Sequence, residues 1–194
     1  MTSADRPTEI VIGEARSDEE FAAFAEVCRA YVDWCRERYA SLPWFVEEVF
    51  GHQALDAELM DLAQKYGPPL GRTLLISLNG VVVGGGAYRR MAEDACELKR
   101  LFLTDAARGH GLGRQLTEAL IAAARSDGFV TMLLDTGDRL TEAIAMYRAM
   151  GFEHVAPFHD YPAHLLPHLV FMERRIMGGM NFAEDQTPST MTAL

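Results

Sequence analysis

The sequence predicts an α/β fold with a mixed, mostly antiparallel central sheet flanked by helices. Three observations predict it. Strand-like and helix-like segments are interspersed along the 194 residues rather than grouped. Two β-rich runs, Thr73–Leu78 and Val81–Tyr88, flank Asn79-Gly80, a strong two-residue hairpin signal. A single strand–helix–strand stretch, Cys96 to Asp135, calls for a right-handed crossover between two parallel strands.

The elements follow in order. Residues 1–8 read as a loose leader, and Glu9–Ala15 as a first strand rich in β-branched residues. Ser17 followed by Asp18, Glu19 and Glu20 marks a helix start. Phe21, Phe24, Ala25, Cys28, Tyr31, Val32 and Cys35 then recur at helical spacing. Pro43 punctuates, and one helical tract is expected from about Glu47 to Lys65, ended by Gly67-Pro68-Pro69. Gly84-Gly85-Gly86 inside the returning hairpin strand marks a bulge or a close approach of another backbone. Cys96–Thr104 is a further strand, and Gly111 to about Ser126 a helix with Leu112, Leu116, Leu120 and Ala123 on one face. Val130–Asp135 reads as a buried strand, and Thr141–Met150 as a short helix with Gly151 in the capping position. Phe152–Val155 and Leu169–Ile176 are the last strands. Residues 1–177 are taken as one domain and 178–194, with Gly, Ser, Thr and Pro, as a flexible tail.

Composition narrows the function. A net charge of −10 argues against a nucleic-acid partner, which needs a basic surface to displace counterions. The three cysteines, Cys28, Cys35 and Cys96, form neither a disulfide framework nor a CxxC metal site, and fit a reducing, cytoplasmic setting. No apolar run is long enough for a membrane span, and the first residues lack a secretory h-region. His154, His159, His164 and His168 are broken up by Pro157, Pro162 and Pro167, so no helix gathers them around a metal. This segment is expected to shape an acceptor pocket, with His159, Asp160 and Tyr161 its most reactive residues. Tyr31/Trp34 and Trp44/Phe45 either wall that pocket or simply pack the N-terminal helices.

The chemistry centres on Arg108-Gly109-His110-Gly111-Leu112-Gly113, between a strand and a helix. Glycines there allow positive φ and close backbone approach, so that successive N–H groups converge on an anion at a helix N-terminus. Arg108 and Arg114 add positive charge at the rim. The spacing is not that of a nucleoside-triphosphate P-loop. It is also one residue short of the dinucleotide fingerprint GxGxxG, and only one strand–helix–strand unit is present. A glycine-rich connection that merely turns the chain is the plain alternative.

The stretch Leu101-Phe102-Leu103-Thr104-Asp105-Ala106-Ala107-Arg108-Gly109-His110-Gly111-Leu112-Gly113 resembles the acetyl-CoA-binding motif of the GNAT superfamily of N-acetyltransferases. Asp105 stands where the family often has proline, and Leu103 where it often has valine. Ala143-Ile144-Ala145-Met146-Tyr147-Arg148-Ala149-Met150-Gly151-Phe152 is similar to the family's A-x-x-x-Y-x-x-x-G-F segment, and Phe171-Met172-Glu173 to its last strand. Leu140 replaces a common asparagine, which removes a usual side-chain contact to the cofactor.

The resemblance implies the acyl-CoA N-acyltransferase fold, with two central parallel strands that splay apart around acetyl-CoA, and no metal. It implies a pantetheine arm bonded by backbone groups of the Leu101-Phe102-Leu103 strand, with the Leu101 N–H polarising the thioester carbonyl. Arg108, Gly109, His110, Gly111, Leu112, Gly113 and Arg114 would hold the pyrophosphate. Tyr147 matches the tyrosine that donates a proton to the CoA sulfur; the alternative is a core aromatic. Glu97 is the candidate base, directly or through water, and by period-two alternation shares a face with Lys99, Leu101 and Leu103. The alternative is a carboxylate paired with Lys99, Arg100 or Arg89. Asp135 is expected to cap the turn at Thr136-Gly137. The acceptor is then an amine of a small or amino-acid-like molecule, with a protein lysine or N-terminus, or a non-catalytic CoA-binding role, as alternatives. Family members often dimerise, which leaves a homodimer open.

Overall fold

The computed structural model of the protein describes residues 8–107 and 111–176. The expected tail at 178–194 lies outside them, as do Arg108, Gly109 and His110. Seven strands make one sheet: β1 (Ile10–Glu14), β2 (Gly71–Leu78), β3 (Val81–Arg90), β4 (Ala95–Leu103), β5 (Thr131–Gly137), β6 (Glu153–His154) and β7 (Leu169–Arg175), in the order β1-β2-β3-β4-β5-β7-β6. Among the described residues, only β4 and β5 pair in parallel; the other neighbours are antiparallel.

Local chemistry explains most boundaries. Asn79 and Gly80 both take positive φ, 50° and 82°, as the tight hairpin between β2 and β3 requires. Helix α1 (Asp18–Arg38) opens on a reciprocal capping box between Ser17 and Glu20. Its stripe of Phe24, Cys28, Val32 and Cys35 is buried. The expected single helix from Glu47 to Lys65 is three: α2 (Pro43–His52), α3 (Leu55–Met60) and α4 (Leu62–Tyr66). Pro43 starts α2 instead of merely punctuating, because its fixed φ suits the first helical turn. Ala54, left-handed at φ 51°, breaks α2 from α3. Asp61 interrupts the tract again and caps α4 through the Gln64 N–H. Apolar spacing runs on across both breaks, so periodicity does not reveal them.

Alternation along the strands separates two cores. Helix α5 (Leu112–Ser126) lays Leu112, Leu116 and Leu120 on one face, against Leu74, Ile76, Leu98, Met132 and Leu134. Helix α1 covers the other face, with Phe24 and Cys28 against Leu75 and Ala87. A third cluster joins α1 and α2 to Leu140, Tyr161, Leu165 and Phe171. Among the described residues, no helix is long and apolar enough to cross a membrane.

Two irregularities of β4 build the site. First, Arg100 has φ 56°, and together with Leu101 it lies opposite the single residue Gly86 of β3. This bulge inverts the alternation. Cys96 and Leu98 before it, and Leu101 and Leu103 after it, all turn to the α5 face. Glu97 and Lys99 therefore do not share a face with Leu101 and Leu103, contrary to the simple period of two. Second, β4 pairs with β5 only over Ala95–Glu97 and Thr131–Leu133, and beyond these the strands part. The β5-facing edge of β4 from Leu98 onward is left without a ladder.

The glycine run in β3 serves close approach, as expected. A Cβ on Gly84 would lie 2.6 Å from the Phe102 carbonyl oxygen and 3.1 Å from the Leu103 Cα. Gly84→Ala is expected to cost about 1–3 kcal/mol in urea unfolding, because the strand that lines the cleft must shift. An unchanged midpoint would show that β4 yields freely.

Candidate active site

Where β4 and β5 part, a cavity of about 400 Å³ opens. Leu101, Leu103, Gly113, Leu134, Met146 and Tyr147 line it. Phe102 enters from the opposite face and packs against Tyr31 and Trp34, with ring centroids 5.5 and 5.7 Å away. Tyr31 and Trp34 thus wall this cleft, whereas Trp44 and Phe45 pack around His168. Leu140, standing where the family's asparagine would be, is buried in the third core cluster.

Helix α5 begins at the mouth of the cleft. Gly111 precedes it with φ 68°, a conformation that a Cβ would strain. An added Cβ on Gly113 would already touch the Leu103 side chain at 3.4 Å, so the first helical turn adjoins the end of β4. The N–H groups of that turn have no carbonyl four residues back and present positive charge. Leu112 is buried beneath them, and Arg114 is exposed beside Glu118. Arg108, Gly109 and His110 lie outside the described residues.

Tyr147 stands on helix α6 (Thr141–Ala149), buried and packed edge-to-face on Phe152. Its hydroxyl makes no hydrogen bond to the described residues, and it borders the cleft. Burial, reinforced by the charge of Asp135, raises its pKa well above the usual phenol range. A phenol so held keeps its proton until a strong base arrives.

A second cavity, of about 300 Å³, lies on the α1 face of β4. It is polar: Gln53, Lys65, Arg89, Lys99, Arg100 and His159 are among its walls. A narrow space bordered by Gln53, Lys99, Arg100, Asp135 and Thr136 shares walls with both cavities. Arg100 borders all three.

Glu97 is fully buried there. Arg89 Nε and Nη2 reach its Oε2 at 2.9 and 2.8 Å, while Lys99 Nζ and His159 Nε2 reach Oε1 at 3.1 and 2.6 Å. Burial alone would raise its pKa. Lys99, His159 and Arg89 outweigh burial and hold it far below the usual carboxylate range. A carboxylate with both oxygens occupied and such a low pKa is a weak proton acceptor. Of the partners expected of a paired Glu97, Lys99 and Arg89 are present and Arg100 pairs with Glu58 instead; His159 is an additional partner.

Asp135 does not cap the turn after β5. Its Oδ1 accepts from Lys99 Nζ at 2.8 Å and its Oδ2 from the Tyr161 hydroxyl at 2.8 Å. Ligand atoms of Glu97, Asp135 and His159 come within 4.8 Å of one another, the spacing of a metal triad. The Lys99 ammonium sits between the two carboxylates and supplies the positive charge. The other three histidines of the proline-broken segment disperse: His154 meets Arg148, His164 meets Glu48, and His168 lies beside Asp138, whereas His52 lines the chamber against Tyr161. His159 and Tyr161 reach the chamber, and Asp160 borders it from an exposed position.

Three residues of the site carry no sequence signal of their own. Gln53, at the end of α2, bonds Arg100 and Tyr161. Glu58 on α3 is buried and accepts from Arg100 Nε at 2.6 Å and Lys65 Nζ at 2.5 Å. Arg100 reads in the sequence as one more polar residue of a strand. A glutamate in the middle of a short amphipathic tract gives no hint that it is interior.

Comparison with known proteins agrees with this geometry. The family model for the acetyltransferase (GNAT) family matches residues 37–152. The chain is 36% identical over 108 residues to the uncharacterized N-acetyltransferase YjgM of Escherichia coli, covering 54% of this chain and 65% of that one. It is 38% identical over 117 residues to an IAA acetyltransferase of Azospirillum brasilense, covering 60% and 74%. In fold it is similar to a PaiA N-acetyltransferase from Thermoplasma acidophilum in complex with coenzyme A, with TM-score 0.62 over 86% of this chain and 99% of that one at 18% identity. The chain belongs to the acetyltransferase (GNAT) family.

Proposed function

We propose that the protein transfers an acetyl group from acetyl-CoA to the primary amine of a small acceptor by direct attack. The observation that carries this reading is the parting of β4 from β5 beside the N-terminus of α5. It leaves unladdered backbone for a pantetheine arm at the place where helix amides favour a diphosphate. In this reading, the glycine loop from Arg108 to Gly113, with Arg114, holds the pyrophosphate. Leu101 and Leu103 bond the pantetheine through their backbones, with Phe102 between them. The PaiA protein's complex with coenzyme A supports the choice of cofactor.

The polar chamber is the acceptor's side. The amine nitrogen attacks the thioester carbonyl, and the Leu101 N–H stabilises the oxyanion that forms. As the C–S bond breaks, the departing thiolate takes the Tyr147 proton. The attacking amine must give up its own proton, and Glu97 is poorly placed to take it directly. Glu97 acts instead by holding His159. An ionised carboxylate only accepts hydrogen bonds, so the His159 Nε2 facing it carries the hydrogen and Nδ1 is left as the acceptor. The enclosing wall of His159 and Tyr161 favours a small acceptor over a peptide. Three buried free cysteines suit a cytoplasmic enzyme.

Thiol release from acetyl-CoA with a panel of amines tests the function. Release that depends on the acceptor is expected. Coenzyme A binding without acceptor-dependent release would point to a non-catalytic module. For the base, His159→Gln is expected to lower kcat/KM by about 10²-fold, with partial recovery in added imidazole. A variant as fast as the parent would remove His159 from proton transfer.

A further inference from the structure

Arg100 is an unusual residue to find inside a protein. Its side chain is 3% exposed, and its Nε is paired with the equally buried Glu58. Its Nη1 donates to Gln53 Oε1 at 2.8 Å. Its Nη2 is buried and has no hydrogen-bond partner among the described residues. A buried donor without an acceptor is costly, and native proteins seldom tolerate one without reason. Glu58 does not neutralise the surroundings either, because it also serves Lys65.

Charged side chains crowd the chamber around it. Lys65, Arg89, Lys99 and Arg100 face three buried carboxylates, Glu58, Glu97 and Asp135. Asp160 is the remaining acid, and it is exposed to solvent at the rim, where its field is screened. In a chain of net charge −10, an interior chamber that gathers four cations and leaves a buried guanidinium donor without a hydrogen-bond partner is suited to an anion. The position is also specific. Arg100 borders the cleft beside Tyr147, the narrow space that shares walls with it, and the chamber, and it immediately precedes Leu101.

Resting on acetyl transfer as proposed above, we infer that the acceptor is an amine that carries a carboxylate, and that Arg100 binds that carboxylate. The guanidinium fork matches a carboxylate through two parallel N–H donors. One oxygen takes the unpartnered Nη2. The other takes Nη1 from Gln53, whose amide nitrogen already points to Tyr161 at 2.5 Å and can keep that bond. The bulge at Arg100 puts its side chain beside Glu58 and Gln53, where it borders the chamber, while Leu101 follows at the splayed edge of β4. The carboxylate is thereby anchored beside the residue that polarises the thioester, and the amine is delivered to the carbonyl.

The test compares matched acceptors: common α-amino acids, β-alanine and γ-aminobutyrate, each against its own carboxamide. At least one carboxylate acceptor is expected to exceed its carboxamide in kcat/KM by about 30-fold or more, the scale of a charge-assisted pair. Arg100→Gln alone strands Glu58 and threatens folding, so the companion variant is Glu58→Gln/Arg100→Gln, which removes both charges. Within that variant the ratio of carboxylate to carboxamide is expected to fall to about one. Because it is a ratio, a general loss of activity does not imitate it. Carboxamides turned over as well as, or better than, their acids would overturn the anion site and leave acetyl transfer standing. A double variant that keeps the full ratio would overturn the role of Arg100. Turnover of no amine at all, with coenzyme A still bound, would overturn both readings.

Discussion

Tyr147→Phe is expected to lower kcat by about 10²-fold or more while the affinity for coenzyme A stays nearly unchanged. The hydroxyl borders the cleft, has no hydrogen-bond partner among the described residues, and is kept protonated by burial and by the charge of Asp135. Removing it subtracts a proton donor and one oxygen, and leaves the ring against Phe152. Packing is therefore preserved, and thermal unfolding of the variant should match the parent. Stopped-flow measurement of the chemical step, with calorimetry for coenzyme A, separates the two roles open to this residue. A loss of stability with kcat intact would mark Tyr147 as a core aromatic. A loss of kcat at constant stability would mark it as the acid.

Glu58→Gln is expected to destabilise the protein by about 3 kcal/mol in urea unfolding at neutral pH, because it leaves the Arg100 guanidinium buried and poorly paired. Burial pushes the Glu58 carboxyl upward, but Arg100 and Lys65 outweigh burial and hold it at about 2. The sign of the pH dependence follows. A carboxyl depressed on folding contributes stability that is complete above its unfolded pKa, near 4.5. That stability is lost as pH falls towards the folded value of about 2. The parent should therefore lose about 3 kcal/mol of stability from this group across that interval. In Glu58→Gln the same interval should be flatter by that amount. Parallel pH profiles for parent and variant would contradict the pairing as the source of the shift.

The two variants probe different layers of the same site. Tyr147 was visible in the sequence because its segment, from Ala143 to Phe152, resembles the family's A-x-x-x-Y-x-x-x-G-F pattern; helical spacing alone would have read it as a core aromatic. Glu97 was visible too, but its role was not. A strand residue's face follows from alternation only while the strand is regular. The bulge at Arg100 breaks that rule, and it sends Leu101 and Leu103 to one side of the sheet and Glu97 to the other. No residue type announces such a bulge, since arginine is not a usual occupant of positive φ.

The sequence by itself determined the hairpin at Asn79-Gly80, the capped first helix, the parallel pairing across the strand–helix–strand unit and the helix that follows Gly111. Each depends on turn chemistry or periodicity within a few residues. Only the tertiary structure decided where α2 stops, that Asp135 joins Lys99 and Tyr161, and that Glu58 meets Arg100 across 42 positions of chain. Buried charges choose partners by distance and desolvation in three dimensions, and those interactions leave no repeating trace along the chain.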